Sequence, residues 1–183
     1  MTSFEYFKLP EDIAFSQSQI EEIWNMRPEN PHEIKIYGKL IKTPRLQKTY
    51  GKDYKFSGTT SISDPMPSQM FDNLIEFLNN KYNCKFNMLL INWYRNGEDY
   101  IGYHSDDERQ IIPNSSILTV SLGVTRDFIL KNKETKEKVI YDLESNSVLA
   151  MHGTCQKTHK HSVPKRIRVK DYRISITLRQ FIE

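Results

Sequence analysis

The triplet His104-Ser105-Asp106 sets an imidazole and a carboxylate two residues apart, and an extended backbone there points both side chains the same way. Two imidazoles and one carboxylate hold a divalent iron from one side and leave the other side open for a co-substrate and oxygen. Four more histidines compete for the second imidazole position: His32, His152, His159 and His161. His32 lies in a Pro-rich stretch, the setting of a solvent-facing side chain. His152 precedes Gly153 at a strand end, the setting of a packed or supporting one. His159 and His161 share a strand face, so spacing does not separate them. Farther on, Arg173-Ile174-Ser175-Ile176-Thr177-Leu178-Arg179 alternates polar and apolar without a break. One face of that strand packs and the other carries two guanidiniums, the group suited to bidentate pairing with carboxylates. Their backbones stand about 20 Å apart, a span that two arginine side chains and a short diacid can fill. A metal site beside a carboxylate-reading strand points to oxygenase chemistry. A structural zinc would call for a closed set of four Cys/His ligands, and a serine hydrolase for a Gly-x-Ser-x-Gly elbow; the chain has neither.

Several elements must position these residues. Ser16 caps a short helix over Gln17–Met26, which Pro28, Asn30 and Pro31 end. Pro65, Pro67 and Ser68 start a second helix, whose Met70, Phe71, Leu74, Ile75 and Leu78 form one apolar stripe running to about Lys81. From Phe86 onward short apolar runs alternate with turns. The expected strands are Phe86–Tyr94, Ile117–Leu122, Asp127–Lys131, Lys138–Leu143, Ser147–His152, Lys160–Val163 and Arg173–Phe181. Asn96-Gly97, Asn132-Lys133 and Ser145-Asn146 supply turns. Short strands with no interleaved helices in the C-terminal half predict an α+β, mainly β chain: two sheets packed face to face as a jelly roll, with one or two N-terminal helices on it. Residues 1–33 read as a variable lead-in and 34–183 as one domain.

The 183 residues suffice for one sizeable core, with 38% hydrophobic and 11% aromatic side chains. No apolar run approaches a membrane span, and Met1-Thr2-Ser3-Phe4-Glu5 does not resemble a secretory leader. Cys84 and Cys155 form no framework and suit a reducing compartment. An intracellular monomer, nuclear or cytoplasmic, is expected. The net charge is only +3, yet Lys35 to Lys55 holds seven cations against Asp53 alone, and Lys157 to Lys170 holds no acid. Two basic segments on a nearly neutral chain suggest a polyanionic partner.

Asn92-Trp93-Tyr94-Arg95-Asn96-Gly97 and His104-Ser105-Asp106-Asp107-Glu108-Arg109 strongly resemble the AlkB family of iron and 2-oxoglutarate dioxygenases, most of all its double-stranded-DNA repair branch. Tyr37-Gly38-Lys39, Tyr50-Gly51, Phe56-Ser57-Gly58, Ser121-Leu122-Gly123 and His161-Ser162-Val163-Pro164 extend the likeness over about residues 34 to 181. The resemblance implies a jelly roll with a nucleotide-recognition lid at about 34–60. It also implies an Fe(II) centre at His104, Asp106 and His161 that is the catalytic site, with 2-oxoglutarate and O2 as co-substrates. Arg173 and Arg179 would grip the two carboxylates, with Asn92, Tyr94, His104 and Thr177 beside them.

By the same likeness, Phe56 and His104 sandwich an extruded alkylated base, Tyr54 lines its pocket, and Asp107 and Glu108 meet its amino group or cationic ring. Tyr37 matches a phenylalanine that wedges into the vacated stack, with Gly38, Lys39 and Lys55 close to the substrate. Arg45, Arg166 and Arg168 would hold phosphates. Two departures stand out: Ser175 replaces a family asparagine, and Ile167 interrupts a basic triplet, which weakens the grip on a duplex. The implied activity is oxidative removal of N-methyl groups from 1-methyladenine or 3-methylcytosine in single- or double-stranded DNA. Succinate, CO2 and formaldehyde are the products. RNA demethylation and a non-catalytic nucleic-acid-binding module are the alternatives.

Overall fold

Period-two alternation builds two sheets of unequal size, and the site lies where they face each other. The computed structural model describes residues 3–56, 58–67 and 69–182, apart from the side chains of Ile36 and Phe56. In chain order the elements are β1 (Phe4–Lys8), α1 (Gln17–Asn25), β2 (Glu33–Ile36), β3 (Lys39–Lys42), β4 (Leu46–Tyr50), β5 (Tyr54–Phe56), β6 (Thr59–Ser61) and α2 (Asp72–Tyr82). There follow β7 (Met88–Tyr94), β8 (Ile101–His104), β9 (Ile117–Gly123), β10 (Arg126–Asn132), β11 (Lys138–Leu143), β12 (Ser147–Met151), α3 (Cys155–Thr158), β13 (His159–Val163) and β14 (Arg173–Arg179). The large sheet runs β1-β12-β9-β14-β7-β4 and the small one β11-β10-β13-β8, while β2-β3 and β5-β6 form separate two-stranded ribbons. This is the expected jelly roll.

β14 shows how the large sheet is made two-faced. Ile174, Ile176 and Leu178 pack with Ile20, Ile23, Leu74 and Leu78 of the two helices in one core. Arg173, Ser175, Thr177 and Arg179 turn to the other face, toward the small sheet. The strand is nonetheless buried along its whole length. A smaller core, including Phe128, Leu130, Leu149 and Val163, fills part of the space between the sheets. Register extends the polar face across neighbours, with Gln47 opposite Asn92, Asn92 opposite Ser175 and Ser175 opposite Ser121.

The helices anchor that scaffold. Ser16 and Gln19 form a reciprocal capping box at the start of α1. Trp93 Nε1 donates to the Ile23 carbonyl at 2.9 Å, tying α1 to the middle of β7. α2 starts at Asp72, later than the prolines predict, because Gln69 sits at φ +53, a left-handed conformation that a helix cannot pass through. Ser68, the expected starter, lies outside the described residues.

Several elements depart from the sequence expectation. β1 is not among the expected strands and pairs with β12 along the sheet edge, while α1 enters the core as one of the expected N-terminal helices. β8 is an unanticipated edge strand that stops at His104, so Asp106 sits just beyond it. A single helical turn, α3, precedes β13 in the half expected to lack helices. Among the described residues no helix is long and apolar enough to cross a membrane.

Candidate metal and co-substrate site

β8 and β13 pair so that His104 stands opposite His161. Their rings lie 4.1 Å apart, and Phe128 stacks on His161 at 5.1 Å. His104 Nδ1 lies 2.9 Å from the Gly102 carbonyl, a contact that puts a proton on Nδ1 and turns Nε2 toward Asp106. Asp106 is placed by its own backbone, whose N–H donates to Gln156 Oε1 on α3 at 2.9 Å. Asp106 Oδ1 ends 3.5 Å from His104 Nε2 and 3.9 Å from His161 Nε2, too far for hydrogen bonds of ordinary strength. The three donor atoms lie within 4.8 Å of one another, and Asp106 Oδ1 is buried with no hydrogen-bond partner.

Charge states sharpen this geometry. Burial works to raise the Asp106 pKa, but the Arg179 guanidinium, helped by the two histidines, overrides it and keeps the carboxyl below its ordinary range. Arg179 Nη2 donates to Asp106 Oδ2 at 3.0 Å, and both side chains are buried. Burial, then His104, pushes His161 down to about 3, so it is a neutral imidazole and its contact with Asp106 is not an ion pair. An anionic oxygen and the neutral His161 imidazole thus converge with the Nε2 of His104. That donor set is stabilised by a cation and fits a divalent iron held from one side.

The other histidines are elsewhere. His32 Nε2 contacts Thr59 Oγ1 at 3.2 Å, and His152 Nδ1 contacts Ser116 Oγ at 2.8 Å. His159 bonds the Thr158 hydroxyl and meets Phe4 edge-on. Shared parity does not make His159 a ligand, because the pairing of β13 with β8 sets His161 opposite His104.

The triad borders a cavity of about 610 Å³ whose wall includes Asn92, Tyr94, Ser175, Thr177, Arg179, Asp107 and Glu108. Arg179 Nε and Nη1 are buried without partners, leaving half of its fork open for a carboxylate. Burial opposes its charge, but Asp106, Tyr54 and Glu108 hold its pKa above the ordinary value. Arg173 does not line the cavity. It lies over the Tyr94 ring at 5.2 Å and donates Nη2 to Ser121 Oγ at 2.8 Å. Its Nε and Nη1 are also buried without partners, and burial lowers its pKa to about 10. Ser175 is buried in the wall.

Arg45 corrects the sequence reading. Expected at the surface on a phosphate, it is instead buried in the cavity wall, donating Nε to Asn92 Oδ1 at 2.8 Å and Nη2 to Gln47 Oε1 at 3.3 Å. Sequence reasoning also missed Arg126, buried and donating to the carbonyls of Asn96, Asp99 and Pro164, which pins the loops around β8 and β13. Its inward parity with Phe128 and Leu130 was the available signal. Gln156 had none.

Over the cavity lies the β2–β3 ribbon, whose paired Ile34 and Ile41 line it. Tyr37 and Gly38 form its two-residue turn, both at positive φ. The Tyr37 side chain is fully exposed, and Lys39 is exposed beside it. Tyr54 is buried, and its hydroxyl donates to Glu108 Oε1, while Glu108 Oε2 is buried without a partner. Lys55 is exposed, its N–H donating to Gln110 Oε1. The Phe56 side chain and Ser57 lie outside the described residues. Arg166 pairs with Asp127, so its charge is locally offset, whereas Arg168 is exposed and Ile167 is 66% exposed.

Comparison with known proteins agrees with this site. The model of the 2OG-Fe(II) oxygenase superfamily matches residues 13–179. The chain is 33% identical to DNA oxidative demethylase ALKBH2 of Homo sapiens, over 93% of this chain and 72% of that protein. It is 31% identical to alpha-ketoglutarate-dependent dioxygenase alkB homolog 3 of Homo sapiens, over 74% of this chain and 51% of that one. The solved structure of OsALKBH1 shares the fold, with a TM-score of 0.66 at 14% identity over 97% of this chain and 96% of that one. With its triad, its half-open Arg179 fork and these relatives, the chain belongs to the AlkB family, of the ALKBH2-like type, and is an Fe(II)- and 2-oxoglutarate-dependent dioxygenase.

Proposed function

We propose that the chain oxidatively dealkylates N-alkylated DNA bases of the 1-methyladenine and 3-methylcytosine type. The observation that carries this reading is the convergence of His104, Asp106 and His161 on the wall of a cavity whose mouth is crossed by a ribbon tipped with an exposed aromatic ring. His104, Asp106 and His161 are the residues that would hold iron. When bound, the metal with 2-oxoglutarate and O2 supplies an oxidation that yields succinate and CO2 and hydroxylates the N-methyl carbon, from which formaldehyde departs.

The remaining work falls to side chains. Arg179 orients one carboxylate of 2-oxoglutarate with the half of its fork that Asp106 leaves open, and Thr177, Asn92 and Tyr94 pack around that co-substrate. Arg173 takes the distal carboxylate once the Tyr94 ring shifts aside, which would satisfy its two unpartnered nitrogens. A base buried in a stack cannot reach the triad, so it is extruded. The His104 imidazole offers it one face and Phe56 the other. Glu108 Oε2 accepts from its exocyclic amino group, positioned by the Tyr54 hydroxyl, and Asp107 faces its cationic ring. Residues 34–60 act as the lid, with Gly38 letting the ribbon turn tightly and Lys39 and Lys55 near the strand. With Arg166 paired to Asp127 and Ile167 in a basic position, Arg168 is the one arginine of that loop left for a phosphate, beside Lys165 and Lys170. Single-stranded DNA is therefore accepted at least as well as duplex.

Formaldehyde and succinate are to be measured with 1-methyladenine and 3-methylcytosine in paired and unpaired DNA and in matched RNA. Equal amounts of both products from methylated DNA are expected. Succinate without formaldehyde on every DNA substrate, or greater turnover of RNA, refutes the DNA assignment.

A further inference from the structure

The β5–β6 ribbon carries Tyr54 and Phe56, which the proposed reading sets against the extruded base, and among the described residues it pairs with neither of the two main sheets. Its foot is tied where Gly51 N–H donates to the Asp64 carbonyl at 2.8 Å and Asp64 N–H to the Thr49 carbonyl at 3.0 Å. The outer edge of β5 is held differently. The Asp53 carbonyl and the Lys55 N–H form an open strand edge of the kind that a third strand would pair with. The Gln110 side chain takes that place. Its Nε2 donates to the Asp53 carbonyl at 3.0 Å and its Oε1 accepts from Lys55 N–H at 3.0 Å, so one side-chain amide stands in for a neighbouring peptide group. Tyr54 lies between the two bonded residues.

Gln110 is itself fixed to the rigid body. Its carbonyl accepts from Ile182 N–H at 2.8 Å, Ile112 N–H donates to the Gln180 carbonyl at 2.9 Å, and Ile111 bridges Phe181. The chain from 110 to 112 therefore runs along the continuation of β14, just beyond Arg179. Ile111 and Phe181 pack with Tyr54 and Leu90 in a small core of their own. On the other side, Ile111 N–H returns to the Glu108 carbonyl at 3.0 Å, closing the turn that follows Asp106. One residue thus connects the strand that aims Arg179, the loop that carries Asp106 and the strand that lines the base pocket. The bond from the Tyr54 hydroxyl to Glu108 holds a single ring, whereas a grip on main chain holds the whole strand. The chemistry calls for an amide, since a carboxylate at 110 would accept from Lys55 but could not donate to Asp53.

We propose that Gln110 is a positioning residue for the substrate base: by holding β5 at a fixed height over the triad, it sets how deep the base enters and where its N-methyl carbon comes to rest. This rests on the reading that the chain dealkylates a nucleic-acid base. The bridge explains why a ribbon outside both main sheets can nonetheless serve as one wall of a pocket that needs a fixed geometry.

The test uses the iron-loaded full chain on 1-methyladenine in a single-stranded oligonucleotide, with formaldehyde and succinate both measured. Gln110→Met keeps the shape and loses both bonds, so kcat/KM for the oligonucleotide should fall about tenfold. Formaldehyde should fall well below succinate, because a misplaced methyl group lets the co-substrate be consumed without it. Gln110→Glu should behave alike, since its carboxylate repels the Asp53 carbonyl that the amide held. Two further readings separate positioning from general damage. With Mn(II) in place of iron, the rise in Tm on adding 2-oxoglutarate should equal the parent's, because the triad and Arg179 are untouched. Combining Gln110→Met with Tyr54→Ala should cost clearly less than the product of the two losses, because the grip acts through β5. Parent-like kcat/KM with equal products in Gln110→Met overturns the proposal, and so do losses that multiply in the double variant or a vanished 2-oxoglutarate increment. A parent that yields no formaldehyde brings down the dealkylation reading and this proposal with it, whereas an active parent matched by Gln110→Met brings down the proposal alone.

Discussion

Replacing Arg179 by methionine removes the guanidinium bonded to the buried Asp106 carboxylate while roughly keeping the side chain's length. Both partners are 3% exposed, so the orphaned carboxylate stays dry. Breaking a buried pair from one side costs about 3–5 kcal/mol. With an unfolding entropy of about 2.1 cal/mol/K per residue over 183 residues, each kcal/mol moves Tm by about 2.6 °C, so the metal-free variant should melt about 8–13 °C lower. Mn(II), an inert stand-in for iron, supplies positive charge at the same oxygen atoms. At a hundredfold its Kd it should return about 2.7 kcal/mol, or about 7 °C. 2-Oxoglutarate should then raise Tm further in the parent and leave the variant unmoved, because the open half of the fork is gone. Arg179→Lys keeps a charge but loses the fork, so it should recover most of the metal-free Tm and none of the 2-oxoglutarate increment. Thermal unfolding in chelator, in Mn(II), and in Mn(II) with 2-oxoglutarate measures all of this. A metal-free Tm within 2 °C of the parent would refute the dependence of Asp106 on Arg179, and an intact 2-oxoglutarate increment would refute co-substrate reading by Arg179.

Three further outcomes are expected. His161→Ala should abolish turnover and the Mn(II) shift in Tm, whereas His159→Ala, which loses only contacts to Thr158 and Phe4, should retain most of both; the reverse would reassign the ligand. Tyr37→Ala should raise KM for duplex substrates several-fold more than for single strands, since a wedge offsets unstacking that an unpaired base does not require; equal losses remove the wedge. Glu5 accepts from Lys81 and Tyr82, and the Lys81 bond above all holds its carboxyl below its ordinary pKa. Its stabilising effect is therefore fully present above the ordinary glutamate pKa and lost as pH falls through the lowered folded value, so the Tm gap between parent and Glu5→Gln should hold from pH 7 to about pH 5 and close by about pH 2. A gap that is unchanged at about pH 2 would show that the carboxylate charge is not what holds β1 to α2.

How much of this was legible depended on whether a residue's signal is local. The α1 cap and the alternation of β14 are written in neighbouring residues, and both appear as expected. His104 and Asp106 were readable as a pair, but spacing alone did not give the third ligand, because only the pairing of β13 with β8 sets His161 opposite His104. Arg45 was misassigned because it sits in a run of surface lysines while its partner Asn92 lies 47 residues away. The start of α2 was missed because a left-handed Gln69 carries no compositional mark.

The two-faced β14 strand ties catalysis to folding more tightly than a site built on loops would allow. A slip of one residue against β7 and β9 would drive Arg173 and Arg179 into the helix-packed core and present Ile174, Ile176 and Leu178 to the cavity. Such a misregistered chain would have charged groups in its apolar interior and could not compete with the native one. A molecule that has found its stable structure has thereby aimed its arginines, so active fraction and folded fraction should rise together during refolding.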